Sequence, residues 1–220
     1  MDCRRRWRYP PYNEWWRKLG ASREEQISGL IHDIAHTAFS HVIDFVFDDA
    51  VSQTVHEKFH EKVIFQSEIP QILERYDQDV NKIIDEKNFG ILERDLPNLC
   101  ADRVDYFLRD SLLIGVSTND DVNMIINALT VHNNEIILKN KEAAELLSRR
   151  FIKMGQIFWS PPIQAGSYQL MGEIIKEALK KEIITEKDFF LTDQEVLEKL
   201  NSDKDISKIK IGQLLRNQRK

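Results

Sequence analysis

The sequence contains little of what several protein classes require. Its two cysteines, Cys3 and Cys100, stand far apart and follow no ligand spacing, so neither a disulfide framework nor a zinc ribbon is indicated. No apolar run is long enough to span a membrane, and the Arg-rich start lacks the apolar segment of a signal peptide. Positive charge is not in excess either, because the net charge is −5. We therefore expect a cytoplasmic protein that has neither a membrane nor nucleic acid as its partner.

The chain of 220 residues is long enough for one large or two small domains with a sizeable core. Hydrophobic residues make up 42% and charged residues 30%, which is an ordinary balance for a globular protein. Anionic substrates would need a local basic patch.

The first nineteen residues differ in composition from the rest and form an atypical leader, residues 1–19. They show no helical or strand period and contain three of the four tryptophans, a proline pair and a basic run: Trp7, Trp15, Trp16, Pro10, Pro11 and Arg4 to Arg8. We expect residues 1–16 to be mobile or irregularly packed, since the proline pair disfavours helix. Contact with nucleic acid through the basic run is the alternative.

The remaining pattern is mainly helical with one small β element. Ser22 and Glu25 match a capping box before an apolar helical stripe, which predicts a helix over residues 23–35. Thr192 and Glu195 match a second capping box and predict the start of another helix. Asn98 is expected to cap a helix over residues 99–113. Other predicted helices cover residues 53–65, 70–87 and 143–181, the last interrupted at Pro161-Pro162. Residues 128–138 predict a β-hairpin around Asn133-Asn134.

The densest group of chemically active side chains is the stretch LIHDIAHTAFSH, residues 30–41. It holds three of the six histidines, His32, His36 and His41, and it follows an apolar helical run. The adjacent His32 and Asp33 offer an imidazole nitrogen and a carboxylate oxygen, a ligand mix that suits Mn, Fe, Zn or Mg. His36 would face the same pocket if the helix continued. The alternative to a metal site is that these histidines lie at the surface or cap a helix.

A second dense motif is ADRVDYFLRD, residues 101–110. A helix turns by about 100° per residue. On such a helix one face carries Asp102, Tyr106 and Asp110. The opposite side, which we expect to be buried, carries Val104, Phe107 and Leu108. An exposed charged face with pairs such as Asp105 and Arg109 explains the motif when it is taken alone. Together with the His-Asp pair, Asp102 supplies the further carboxylate that a metal site needs.

These two motifs resemble those of the HD-domain phosphohydrolase superfamily, and most of all its deoxynucleoside triphosphate triphosphohydrolase-like branch. Residues 19–115 carry the resemblance. It implies a helical-bundle HD-domain core, over residues 20–115, followed by a mainly helical region, residues 116–220, with the hairpin. It also implies a divalent metal ion (Mn, Fe, Zn, Ni or Mg) held by His32, Asp33 and Asp102, and a nucleotide or other phosphoester as the substrate.

The resemblance further assigns residues that would act on the substrate. His36 and His56 would be catalytic, with His56 as the proton donor to the leaving oxygen, although His56 also fits an exposed helix histidine beside Glu57. Four others would bind the substrate: His41, Arg103, Tyr106 and Asp110. Arg103 would clamp phosphate oxygens, unless it is simply an exposed arginine. Whether the chain forms a homo-oligomer is left open by the sequence.

Two departures from the family pattern bear on activity. Relatives carry a first ligand histidine in an H-S-x-G-V-like segment on the preceding helix, but here that region falls near Arg8, and no histidine precedes His32. The leader composition favours a truncated, frame-shifted or recombined start. At 159–161, where some relatives have substrate-contacting side chains, the sequence is Trp-Ser-Pro, which leaves nucleotide specificity open. We therefore expect either an impaired metal-dependent phosphohydrolase or an inactive HD fold that binds nucleotide or oligomerises.

Overall fold

A computed structural model describes residues 13–47, 55–203 and 206, with the side chains of residues 13, 14, 56 and 57 left aside. The α-helices in this part of the chain are α1 Asn13–Lys18, α2 Arg23–Ile31, α3 Val42–Val46, α4 Val55–Phe65, α5 Ile69–Glu74, α6 Val80–Ile84, α7 Ala101–Leu113, α8 Asn119–Ala128, α9 Lys141–Met154, α10 Pro162–Lys180 and α11 Asp193–Ser202. Two strands, β1 Leu129–His132 and β2 Glu135–Leu138, and short 3₁₀ and π segments complete it. The prediction of a mainly α fold with a small β-hairpin is confirmed. Among the described residues, no helix is both long and apolar enough to cross a membrane.

The chain divides into two compact units that each draw on separate segments. The Asp102 unit comprises residues 13–33 and 67–161, and the His41 unit comprises residues 34–47, 55–66, 162–203 and 206. The sequence-based boundaries at residues 19 and 115 stay a prediction.

The core of the Asp102 unit forms around α7. The apolar side of this helix is buried as its pattern predicts, with Val104, Phe107 and Leu108 at most 6% exposed. Helices α8 and α9 pack against α7, while α1 and α6 pack against α2. This packing places the C-terminal end of α2 and the N-terminal end of α7 within one unit.

The His41 unit has its own core, in which α3 packs against α10. Gly172 of α10 permits this close approach, because a Cβ atom there would lie 2.8 Å from the Phe45 Cβ. Thr192 and Glu195 form the predicted capping box at the start of α11.

The predicted hairpin is present with a two-residue turn. Strands β1 and β2 pair antiparallel, from Leu129 opposite Leu138 to His132 opposite Glu135. Asn133 and Asn134 have φ angles of 51° and 62°, the left-handed conformation that this turn needs and that asparagine tolerates.

Several predicted helix limits were wrong for local reasons. Helix α2 ends at Ile31 rather than at residue 35. The helix expected over 70–87 is broken, because Asp77 adopts a φ of 54° and the Asp79 side chain caps a new helix, α6, by accepting the Asn81 N–H. The N-cap of α7 is Cys100, not Asn98.

The leader prediction was also wrong where the structure describes it. Residues 13–16 belong to helix α1, and Trp16 is 2% exposed within the core of the Asp102 unit. Helix α1 is too short for its apolar residues to show a helical period. The sequence therefore could not predict the burial of Trp16. Residues 1–12, with Trp7 and Pro10-Pro11, lie outside the described residues.

Candidate metal centre

Helix α2 delivers His32 and Asp33 directly past its last turn. His32 Nδ1 lies 2.8 Å from the Gly29 carbonyl oxygen. The imidazole thus satisfies one of the carbonyls that a helix end leaves without a partner, and the chain turns over residues 32–35. With a proton on Nδ1 facing this carbonyl, the lone pair of a neutral His32 is on Nε2.

Three donor atoms converge at this point. His32 Nε2 lies 3.2 Å from Asp102 Oδ1 and 3.4 Å from Asp33 Oδ2. The ligand atoms of the three residues all lie within 4.8 Å of one another, with Asp33 exposed and the other two partly buried. Within the described residues no other His, Cys, Asp or Glu joins this cluster.

The spacing of these atoms fits a small divalent cation. Two ligand atoms bonded to one ion at about 2.1 Å stand about 3.0 Å apart at a right angle and about 3.4 Å apart at a tetrahedral angle. The two distances from His32 Nε2, 3.2 and 3.4 Å, match this range. One imidazole nitrogen and two carboxylate oxygens also form a donor set of the expected chemistry.

Asp102 is positioned by backbone contacts at the start of α7. The Ala101 and Asp102 N–H groups donate to the Ile91 and Leu92 carbonyls at 2.7 and 3.2 Å. These bonds satisfy amides that a helix N-terminus leaves unpaired, in place of the predicted Asn98 side chain. The first turn of α7 is therefore fixed to the 91–92 segment.

The two carboxylates strongly affect the pKa of His32. Burial lowers this pKa, but the hydrogen bond with Asp102 and the negative charges of Asp33 and Asp102 outweigh burial and raise it to about 9. Without a bound cation, the imidazole therefore carries a positive charge at neutral pH, which offsets part of the negative charge of the two carboxylates.

This pKa predicts a pH-dependent stability of the metal-free chain. Because the folded pKa of His32 exceeds the unfolded value of 6.5, protonation stabilises the fold fully below about pH 6.5, and this contribution is lost as pH rises through about 9. Chemical denaturation in a chelator should show the free energy of unfolding falling over this range more in the unmodified chain than in His32→Gln. Equal pH dependence of the two would contradict the prediction, and His132→Gln is the control.

Asp105, one turn beyond Asp102, has a structural environment. Arg109 Nε donates to Asp105 Oδ2 at 2.7 Å, and an interaction with Trp15 of α1 lowers the pKa of this carboxyl. Burial raises the pKa of Asp105 to about 6, against the opposing effect of Arg109. The Asp105–Arg109 pair, which was expected on an exposed charged face, is thus largely buried. Asp105 also connects α7 to α1 through Trp15.

Arg103 is engaged with the loop that precedes α7. Its guanidinium donates to the carbonyl oxygens of Arg94 and Asn98, at 3.1 and 2.6 Å, and lies 3.4 Å from Glu93 Oε1. These contacts make it a residue that holds the loop, and its predicted contact with phosphate stays a prediction.

Tyr106 and Asp110 lie beside an aromatic group on α7. Trp159 Nε1 donates to Asp110 Oδ2 at 2.9 Å, and the Trp159 and Tyr106 rings meet edge to face with centroids 5.1 Å apart. Burial raises the pKa of Tyr106. Trp159 ends a π-helical segment, Gly155–Trp159, directly before the Pro161-Pro162 interruption.

The other predicted histidines belong to the His41 unit. The rings of His36 and His41 meet edge to face with centroids 5.2 Å apart, and His36 Nδ1 lies 3.1 Å from Ser40 Oγ. His41 Nδ1 lies 3.2 Å from Asp44 Oδ2, and the Val55 N–H donates to the other Asp44 oxygen. His56 belongs to α4, but its side chain lies outside the described residues.

The sequence matches a family model described as HD domain over residues 13–110, a stretch that contains His32, Asp33 and Asp102. Residues 13–110 form an HD domain. The resemblance drawn from the two motifs is thereby confirmed at the level of the superfamily, while the triphosphohydrolase-like branch stays a prediction.

Two curated relatives extend the match beyond the HD domain. The chain is 37% identical over 189 residues to the uncharacterized protein YdhJ of Bacillus subtilis, which covers 86% of the chain and 58% of YdhJ. It is 30% identical over 177 residues to the metal-dependent phosphohydrolase cns2 of Cordyceps militaris, which covers 78% of the chain and 51% of cns2. The chain thus spans about half the length of the curated relatives it matches.

Two solved structures share the fold. A hypothetical protein from Aquifex aeolicus superposes with a TM-score of 0.61 at 23% identity, over 89% of this chain and 57% of that one. A phosphohydrolase from Bacteroides thetaiotaomicron gives a TM-score of 0.56 at 17% identity, over 94% and 62%.

Sequence reasoning missed three residues around the HD motifs. Gly29, Asp44 and Trp159 each contact a predicted site residue: His32, His41 and Asp110, respectively. The spacing of His41 and Asp44, three residues apart on a helix-compatible stretch, was a signal available in the sequence. No local pattern connects Trp159 to Asp110, since the contact depends on how α7 packs near the π-helical segment.

Proposed function

We propose that this chain is a metal-dependent phosphohydrolase that acts on a phosphoester or phosphoanhydride, with (deoxy)nucleoside triphosphates as the first substrates to test. The observation that supports it best is the convergence of the His32, Asp33 and Asp102 donor atoms within 4.8 Å. The name of cns2, a metal-dependent phosphohydrolase 30% identical to this chain, points to the same chemistry.

Each of the three residues has a distinct part in this proposal. His32 would bind the ion through Nε2 while its Nδ1–H still donates to the Gly29 carbonyl oxygen, and Asp33 and Asp102 would supply anionic oxygens. A divalent ion bound there would neutralise phosphate oxygens and lower the pKa of a coordinated water towards about 7. The His32 proton would have to leave for the ion to bind, because the two compete for the same nitrogen.

The substrate-side roles rest on the family resemblance. His56 would protonate the leaving oxygen, with His36 as a second catalytic histidine and His41 held by Asp44. The buried Asp44 would keep the His41 ring in a fixed orientation, which favours a defined role for that histidine. Tyr106 and Asp110, beside Trp159, would contact the rest of the substrate.

A second candidate is a catalytically weak or inactive HD module that binds nucleotide or oligomerises. It is favoured by the sequence near Arg8, where the spacing of the family pattern places a further ligand histidine and this chain has none. Loss of a metal ligand should cost at least the 10–100-fold typical of changes around a metal site. Robust turnover would exclude this candidate.

The test begins with a chain from which a chelator has removed bound metal. Phosphate release is then measured after each divalent ion is added in turn. Mn, Fe, Ni, Zn and Mg would be compared on nucleoside triphosphates and on p-nitrophenyl phosphate. We expect slow release that requires an added ion and is lost again with excess chelator. Nucleotide binding without release under every metal would favour the inactive module, whereas release that does not depend on metal would contradict the proposal.

A further inference from the structure

Three residues on one side of α2 and its C-cap bear on the metal centre. Glu25, Gly29 and His32 follow at helical spacings of four and three, so they lie on the same side of the chain axis. Gly29 accepts the His32 Nδ1 contact, and its missing Cβ makes room for Trp16, since a Cβ would lie 2.1 Å from the indole ring. Glu25 is buried at the other end of this face, with 6% of its surface exposed.

The Glu25 side chain does not make the capping contact that its position predicts. The Ser22 Oγ does accept the Glu25 N–H at 3.0 Å, which is one half of a capping box. The Glu25 carboxylate, however, accepts the N–H groups of Ile91 and Leu92 at 2.8 and 3.1 Å. Both bonds go to the same oxygen, and both are buried, so water does not compete for them.

The same two residues hold the start of α7. The carbonyl groups of Ile91 and Leu92 accept the N–H groups of Ala101 and Asp102. Glu25 is therefore joined to the backbone of Asp102 through one intervening segment, residues 91–92. Glu25 lies in α2 and His32 is the C-cap of the same helix, so this relay connects the two chain segments that supply the donor atoms.

We propose that Glu25 is a positioning residue of the metal centre. Through residues 91–92 it fixes the first turn of α7, and with it the Asp102 carboxylate, relative to His32. A carboxylate suits this task because hydrogen bonds to an ionised acceptor are roughly twice as strong as neutral ones. The proposal rests on the proposed function in one respect, which is that the three donors bind a divalent ion.

The experiment compares Glu25→Met, which removes the acceptor but keeps the side-chain length, with Glu25→Gln, which keeps an acceptor oxygen. Mn²⁺ affinity is measured by electron paramagnetic resonance on the full chain. We expect Glu25→Met to lose about 10–100-fold in affinity, as for other residues that orient metal ligands, and Glu25→Gln to restore most of it. If Glu25→Met does not fold, Glu25→Asp, which withdraws the oxygen by one methylene, should show the same loss.

Two controls separate positioning from general stability. Glu24→Met changes the neighbouring glutamate, which pairs with Lys82 at the surface, and should leave affinity unchanged. Thr118→Ala removes the capping box of α8 in the same unit and should lower stability without lowering affinity. Equal affinity of Glu25→Met and the unmodified chain would overturn the proposal. So would a loss in Thr118→Ala that matches the loss in Glu25→Met at equal destabilisation.

A second readout works without metal. Amide hydrogen exchange at Ala101 and Asp102 should accelerate in Glu25→Met more than exchange at Ile125 in α8. If the unmodified chain binds no Mn²⁺, the proposed function fails, and exchange alone then decides the role of Glu25. Unchanged protection of Ala101 and Asp102 would overturn that role in either case.

Discussion

Replacing Asp102 with alanine should lower Mn²⁺ affinity and metal-dependent phosphate release by at least about 100-fold. The expectation exceeds the 10–100-fold typical of residues around a metal shell, because Asp102 is one of the three proposed metal ligands. The change also removes the hydrogen-bond partner of His32 Nε2. Metal titration and phosphate release, measured on the same preparation, test both effects.

The matched control for Asp102→Ala is Asp120→Ala, an exposed aspartate at the start of α8 in the same unit. It changes the net charge equally and should alter metal affinity by less than about twofold, since exposed charges at a distance are screened by salt. Circular dichroism must show that both variants fold. Unchanged turnover in Asp102→Ala would remove the enzyme interpretation altogether.

Replacing Trp16 with alanine should lower the free energy of unfolding by about 3–5 kcal/mol, the usual effect of removing a large buried aromatic side chain. Trp16 is 2% exposed and packs against Gly29, close to the turn that carries His32, in the same apolar cluster as Leu92. The change leaves a cavity between α1 and the end of α2. Urea denaturation in the presence of a chelator measures the loss without a contribution from metal.

Trp16→Phe is the matched variant, because it keeps an aromatic ring in the same place. The Trp16 indole N–H is buried and has no hydrogen-bond partner within the described residues, so phenylalanine gives up no bond there. We expect it to recover most of the stability. A loss below about 1 kcal/mol in Trp16→Ala would mean that α1 contributes little to the core, as the aperiodic leader first suggested.

The sequence was informative where structure and chemistry depend on neighbours along the chain. The Asn133-Asn134 turn and the Thr192–Glu195 box follow from local backbone preferences. His32 and Asp33 could be singled out as candidate ligands because adjacent donors of two ligand types are uncommon after an apolar helix. The buried side of α7 followed from helical periodicity.

The parts that the sequence could not show are contacts between distant segments. Glu25 matched a local cap, but residues 91–92 compete successfully for its carboxylate because the bonds there are buried. Asn98 lost its predicted role for the same reason, since backbone carbonyls from Ile91 and Leu92 reach the first amides of α7. Periodicity gives no information on such pairings, which exist only once α2 and α7 are packed.

Anomalous diffraction from crystals of the chain soaked in Mn²⁺ would test the metal centre most directly. We predict one strong peak per chain, at about 2.0–2.2 Å from His32 Nε2 and from one oxygen each of Asp33 and Asp102. Crystals of Asp102→Ala grown and soaked identically should lack it. A structure without a peak at these residues, with the hydrogen bond between His32 and Asp102 still in place, would contradict the assignment of this cluster as a metal site.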